Sequence, residues 1–306
     1  VVDNGDGTLT ATAVYGDAGN EFVNAYTAAP VEVSLVGKKN LQVPDGLTPA
    51  DIAGKFTFTV TGEEGAPMPA NASVTNDAKG KVDFGKIAFT LDDLNKALGE
   101  KREKREHTFT YTVTESGKVA GVTNDANATR KVSYAVTDDG AGHLSVVRNG
   151  DDGAAFTFIN TYSVTPTDSV VTDQVKTVKR LTGRDLAAGE FTFDLLEDGV
   201  VVASGTNDAN GTVTLSPIRY EAPGTHTYTL REACPNALGL YKGVTYDGTT
   251  YTVVATVSDN GDGTLAVTHK LEGTTESAGF TNKYHAMPTL SLIHISEPTR
   301  QEAISY

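Results

Sequence analysis

The 306-residue sequence has no Trp, one Cys, two Met and six His. A single Cys excludes a disulfide framework and any Cys-rich zinc site, and the scattered His show no metal-ligand spacing. Cations are scarce as well: 25 Lys and Arg stand against 39 Asp and Glu, a formal net charge of −14. Nucleic-acid binding needs a basic patch to neutralise phosphates, so that class is excluded. No run approaches the roughly 20 apolar residues of a membrane span. GxSxG, Walker and HExxH motifs are missing. Cys234 has no His beside it in any nucleophile signature and reads as incidental. Sugar-binding modules that rely on exposed Trp are disfavoured too. What the chain does have is abundant Thr and Val, which favour strands, and 31 Gly, which favour turns. The expected class is all-β, and the length suits about two domains at roughly 100–200 residues each.

Internal repeats are the strongest signal. Phe22-Val-Asn24-Ala-Tyr26 is followed by Pro30, Phe158-Ile-Asn160-Thr-Tyr162 by Pro166, and Phe280-Thr-Asn282-Lys-Tyr284 by Pro288. DNGDGTL occurs at Asp3–Leu9 and again at Asp259–Leu265. It carries the acids of a calcium loop without the D-x-D-x-D spacing or the distal Glu, and reads as a hairpin turn. TNDAxGxV recurs at Thr75–Val82 and Thr206–Val213, and FTF at Phe56–Phe58 and Phe191–Phe193. An alternating strand ends in Glu twice, at Tyr111-x-Val113-x-Glu115 and Tyr228-x-Leu230-x-Glu232. These ordered sets divide the chain into a remnant of a preceding repeat (1–27), a complete repeat (28–162), a second complete repeat (163–285) and a short tail (286–306).

Alternation such as Phe109, Tyr111 and Val113 against Thr predicts strand nearly everywhere. The exception is Leu91–His107, rich in helix formers, which predicts a short solvated helix or lid with its KREKRE run as a wet face. Repeats of this length with many short strands suit an Ig-like β-sandwich.

Period 2 places Phe158, Asn160 and Tyr162 on one strand face, and Glu115 on the face of Phe109, Tyr111 and Val113. Near the start of each repeat, Lys39 shares parity with Val33, Leu35 and Leu41, and Lys179 with Val175 and Leu181. Lys, Glu and Asn are seldom buried without partners. A buried Lys is driven toward the neutral, nucleophilic amine and a buried Glu toward the neutral acid. A protonated carboxyl can hydrogen-bond the Asn carbonyl and make its carbon electrophilic. The product is a Lys–Asn isopeptide bond with loss of ammonia; desolvation and proximity supply the drive, and no cofactor is needed. The alternative is a set of satisfied polar core residues with the Lys snorkelling to solvent.

The order Lys, FTF, TNDAxG, Tyr-x-[Val/Leu]-x-Glu, Phe-x-Asn-x-Tyr resembles the streptococcal pilin isopeptide-linkage domains of Gram-positive surface proteins, and Lys179–Arg184 with Gly189–Phe193 matches the opening of that family closely. The resemblance implies tandem β-sandwiches like collagen-adhesin B repeats. It implies bonds from Lys39 to Asn160 and from Lys179 to Asn282, with Glu115 and Glu232 as their catalysts. Asn24 then belongs to a repeat whose Lys and Glu are missing. Lys38-Lys39-Asn40-Leu41 lacks the following Gly-Arg, so Lys38 stays open, although parity favours Lys39.

The implied role is a structural, non-enzymatic stalk on the cell wall of a Gram-positive bacterium, holding out an adhesive tip. A sortase-polymerised pilus backbone, a ligand-binding adhesin and the accessory array of a surface enzyme are the alternatives. Implied partners are neighbouring repeats, a sortase-linked wall or pilus, and a host ligand that the sequence does not identify. Leu290–Arg300 (LSLIHISEPTR) reads like a translated sequencing adapter continuing through Gln301–Tyr306, and Val1 is not Met. Both natural ends are therefore expected to lie outside this sequence.

Overall fold

A computed structural model describes residues 1–14, 24–99, 105–149, 156–273 and 277–286. Phe22, the KREKRE run up to residue 104, Pro288 and the adapter-like segment lie outside the described residues. The chain divides into two compact units. The first comprises Val1–Leu41, Asp51–Lys118 and Asn124–Asn160; the second comprises Gln42–Ala50, Val119–Thr123 and Thr161–Tyr306.

The first unit contains a five-stranded antiparallel sheet in the order Leu144–Asn149, Thr129–Asp138, Glu106–Ser116, Thr57–Gly62, Ser73–Thr75. The alternation of Glu106–Ser116 puts Phe109, Tyr111, Val113 and Glu115 inward and Thr outward. Facing it, Val31–Gln42 lies between Lys81–Phe89 and the last strand of the repeat, Phe156–Tyr162. Phe58 of one sheet meets Phe158 of the other with ring centroids 5.4 Å apart, a packed sandwich core.

The second unit repeats the plan. A six-stranded sheet runs Val213–Leu215, Val200–Asn207, Thr192–Glu197, Gly224–Glu232, Thr250–Asp259, Leu265–Leu271. The opposing sheet runs Lys176–Thr182, Ser277–Tyr284, Val244–Thr245, Leu240–Tyr241. Phe193 and Phe280 close the core at 5.2 Å. The fold is all-β and Ig-like, and the three Asp–Gly clusters turn hairpins: Asp3–Leu9 in the first unit, Asp138–Gly142 likewise, and Asp259–Leu265 in the second.

The helix is shorter and less solvated than the sequence suggests. It spans Leu91–Leu98 and starts at a capping box in which Thr90 and Asp93 satisfy each other's backbone N–H. Leu94 is fully buried, because the i, i+3 spacing from Leu91 turns one face inward. The chain is already strand by Glu106.

A buried polar relay in the second unit has a pH consequence. Tyr228 donates to the Tyr220 hydroxyl at 3.2 Å, which leaves Tyr220 to donate to His269 Nε2 at 3.0 Å. His269 is 4% exposed and its Nδ1 has no partner. Burial pushes the imidazole below the ordinary histidine range, with Asp173 opposing. The folded form therefore resists a proton that the unfolded chain accepts. Stability is full at neutral pH and should fall as pH drops below about 6.5, by up to about 1.4 kcal/mol per pH unit. Urea midpoints at pH 7 and pH 5 should diverge less in His269→Gln than in wild type; equal divergence would mean that His269 does not contribute.

Candidate functional site

Each unit buries one Lys, one Glu and one Asn at the centre of its sandwich. Lys179 and Asn282 come from Lys176–Thr182 and Ser277–Tyr284, strands near the two ends of their repeat that run parallel and adjacent. Lys179 lies opposite Phe280 and Asn282 opposite Leu181, so the two are diagonal neighbours on one face. Such positions are about 7–8 Å apart at the backbone, within reach of a lysine side chain. Glu232 ends a strand of the opposing sheet and reaches across. In the first unit Lys39 and Asn160 likewise occupy neighbouring strands, and Glu115 faces them.

The contacts are nearly the same in both. Lys179 Nζ lies 2.7 Å from Glu232 Oε1, and Asn282 Nδ2 donates to the same oxygen at 2.8 Å. Lys39 Nζ lies 2.6 Å from Glu115 Oε1, and Asn160 Nδ2 donates to it at 3.3 Å. Asn160 Nδ2 also reaches Asn124 Oδ1 at 3.3 Å. Each Nζ sits over an aromatic ring, Phe191 at 4.5 Å and Phe56 at 4.7 Å from the centroid. These rings are the first residues of the two FTF motifs, and they wall off the amines from water. Neither lysine snorkels: both side chains are fully covered. Lys38 is exposed, so the buried position belongs to Lys39. Asn24 is exposed and outside any strand.

Although close to the carboxylates, neither Nζ makes a well-angled hydrogen bond, and Glu115 Oε2 and Glu232 Oε2 have no partner. Salt bridges left this incomplete do not offset the cost of burying two charges. Burial holds the Lys39 and Lys179 amines below the ordinary lysine range, against the pull of Glu115 and Glu232. Burial also pushes the Glu232 carboxyl up, against the pull of Lys179. In the second unit the two shifts favour moving the proton from Lys179 to Glu232, which leaves a neutral amine beside a neutral acid.

One element of the sequence reading changes. The Glu carboxyl does not bond the Asn carbonyl; it faces the amide nitrogen. The carbonyl oxygen is taken by a backbone donor instead: Asp125 N–H reaches Asn160 Oδ1 at 2.8 Å, and Asp247 N–H reaches Asn282 Oδ1 at 2.8 Å. A backbone N–H must meet an acceptor, so this bond orients the amide and turns Nδ2 toward Glu. An N–H aimed at that oxygen is placed to stabilise the oxyanion that forms when nitrogen attacks the carbon. The loops that aim it are held through their Asp side chains. Asp125 accepts from Ile159 N–H and Arg130, and Asp247 from Thr281 N–H and Thr249. A signal for these positions exists in the sequence, since Gly121-Val-Thr-Asn-Asp125 and Gly243-Val-Thr-Tyr-Asp247 share G-V-T-x-D.

The TNDAxG motifs also serve the site. Asn76 and Asn207 are buried and accept from Phe56 N–H and Phe191 N–H, fixing the strands that carry the covering rings. Gly80 and Gly211 press against the backbone of the buried lysines: Lys39 N–H donates to Gly80 O at 2.6 Å and Lys179 N–H to Gly211 O at 2.7 Å. At both glycines φ is positive, +76° and +88°, and a Cβ would lie 2.0 Å and 2.1 Å from the lysine carbonyl oxygen. Only Gly fits there.

The family profile described as FctA, Spy0128-like isopeptide containing domain, matches residues 35–163 and 175–285. Among solved structures, the major pilin protein T-13 of Streptococcus pyogenes is 19% identical, covers 85% of this chain and all of its own, and superposes with a TM-score of 0.26. The C-terminal fragment of pilus adhesin SpaC from Lactobacillus rhamnosus GG is 11% identical, with 84% and 100% coverage and a TM-score of 0.26. Two B repeat units of the collagen binding protein of Staphylococcus aureus are 18% identical, with 83% and 76% coverage and a TM-score of 0.19. No curated protein sequence matches the chain.

Proposed function

The chain belongs to the FctA, Spy0128-like isopeptide-containing domain family, and from that premise we propose that it is a structural stalk segment of a Gram-positive surface protein or pilus whose two repeats cross-link themselves. The observation that carries this reading is the pair of matched, fully buried Lys–Glu–Asn sets, each with a backbone N–H on the amide oxygen. In each, the neutral lysine Nζ attacks Asn Cγ, and the developing oxyanion rests on the Asp N–H. The protonated Glu gives its proton to the amide nitrogen, to which it is already hydrogen-bonded, and takes one back from the attacking Nζ. The Cγ–Nδ2 bond breaks, ammonia leaves, and an N–C bond joins the two side chains. The residues react once and do not turn over.

The placement explains why such a bond suits a stalk. In both repeats Lys and Asn lie on adjacent strands from opposite ends of the repeat, and in the second these run parallel. Tension entering one end and leaving by the other would pass through the bond and spare the sandwich core. Such a tie does not depend on redox conditions, unlike a disulfide. Wall attachment by sortase and an adhesive tip belong to the same reading. No helix among the described residues is long and apolar enough to cross a membrane.

The decisive experiment is intact mass. The folded protein should be lighter than its sequence by about 34 Da, two ammonia molecules, because each covalent closure expels one. Full sequence mass in folded protein would overturn the cross-linked reading for both repeats.

A further inference from the structure

Two tyrosine hydroxyls are held in the same manner. In the first unit Tyr26 donates to Asp138 Oδ1 at 2.7 Å and accepts from Gly142 N–H at 2.9 Å. In the second unit Tyr162 donates to Asp259 Oδ1 at 2.7 Å and accepts from Gly263 N–H at 3.0 Å. Both tyrosines close an F-x-N-x-Y motif, and both sockets are Asp–Gly hairpin loops. Each socket Asp also fixes its own loop, taking Gly140 N–H at 3.0 Å and Gly261 N–H at 2.8 Å. Backbone bonds seat the chain just beyond each tyrosine: Ala29 N–H to Gly142 O, and Thr165 N–H to Gly263 O. Around Tyr162 the approach is so close that a Cβ on Gly263 would lie 2.5 Å from Gly121 Cα.

Tyr284 closes the third such motif, and its surroundings copy those of Tyr162. Tyr162 pairs with Val122 and Tyr284 with Val244. Ser163 N–H donates to Gly121 O, and His285 N–H donates to Gly243 O. Gly121 and Gly243 both have positive φ, +73° and +79°. Yet no hydrogen bond to the Tyr284 hydroxyl occurs among the described residues. The neighbouring hairpin leaves Leu238, Leu240 and Tyr241 exposed at 90%, 47% and 39%. A third socket loop also exists: Asp3 Oδ1 takes Gly5 N–H at 2.9 Å, and Asp3–Gly7 is wholly exposed.

We infer that the Tyr284–Gly243 end is a docking surface whose occupant is the Asp–Gly hairpin loop of a further repeat of this same kind. The Tyr284 hydroxyl donates to the loop's Asp and accepts from its last Gly N–H, and the loop's backbone packs on Gly243 beside the exposed Leu240 and Tyr241. The inference rests on the tandem-repeat reading and is independent of cross-linking. Asp3–Gly7 is the same kind of loop, ready to receive the closing tyrosine of another repeat.

The test inserts a further copy of residues 168–285 between Thr289 and Leu290 of the full chain, which preserves the tyrosine-to-proline spacing. Amide exchange is followed in protein labelled with 15N-glycine. In the unextended chain, Tyr162→Phe should speed exchange at Gly263 by about tenfold or more, and Tyr284→Phe should deprotect no glycine. In the extended chain, Tyr284→Phe should deprotect one additional glycine, the last of the inserted loop. The inference is overturned if Tyr284→Phe alters no glycine there, or if the inserted glycines are never protected. Mass deficits in the same samples report cross-linking separately, so the two readings fail separately.

Discussion

In the Glu232→Ala protein the second repeat should fold but stay unlinked, so that the intact mass falls short of its sequence by only about 17 Da, one ammonia, where wild type loses two. The carboxyl oxygen Oε1 lies within 2.8 Å of both the nucleophile and the leaving nitrogen. It is therefore the one group among the described residues that touches both, placed to move a proton between them. General acid–base groups typically contribute about 10²–10⁴-fold in rate, and with no second carboxylate in ion-pair contact with Lys179 among the described residues the reaction should stall on the laboratory timescale. Ala also removes a buried acceptor, so Glu232→Gln is the companion variant: it keeps the shape and the hydrogen-bonding capacity but cannot shuttle a proton. Circular dichroism should show both variants folded. Loss of both ammonias from either folded variant would remove Glu232 from its assigned role.

Blocking the bond by Asn282→Ala or Asn160→Ala should cost the affected repeat much of its stability. Each proposed bond would close a loop of roughly 100 residues or more, and the chain-entropy treatment of cross-links gives about 4–5 kcal/mol for such loops, less any native strain. A domain of this size has only about 5–15 kcal/mol in all. The melting temperature should drop on the order of 15 °C, and trypsin should cut the opened repeat while the intact one survives. The double variant should lose resistance throughout. Equal trypsin survival of wild type and variants, with the wild-type bonds verified by mass, would leave the stalk reading without its physical basis. Asn→Ala also leaves a Lys–Glu pair buried without its third member, which adds to the loss. Lys179→Met separates the two effects, since it removes both the bond and the buried amine.

Much of this protein follows from its sequence alone. Alternation is a local property: a strand's side chains change face every residue, so Phe158, Asn160 and Tyr162 must share a face, as must Tyr111, Val113 and Glu115. Once the aromatic members are assigned to the core, the polar members are carried in with them. Repetition then separates pattern from chance, because the same polar residues recur at the same places between the same motifs. Strand class, tandem organisation and the three residue types of the site are all legible on these grounds.

What tertiary structure decided concerns partners that no periodicity encodes. Parity already favoured Lys39 over Lys38, and the structure adds that Lys39 is covered while Lys38 stays exposed. That Glu faces the amide nitrogen follows from the backbone N–H of Asp125 and Asp247 occupying the carbonyl oxygen, and a main-chain donor leaves no mark in side-chain pattern. Gly80 and Gly211 read as turn residues, yet they are required because a lysine carbonyl lies where a Cβ would stand. Leu94 shows the same limit in the helix, whose buried face depends on what packs beneath it. The closing tyrosines read as core aromatics, but the hydroxyls of Tyr26 and Tyr162 reach Asp138 and Asp259, about a hundred residues away in sequence. Sequence fixes the face on which a side chain lies, through the geometry of its own strand. Which distant atom it meets is set by register and loop path, and these come from packing the whole sandwich at once.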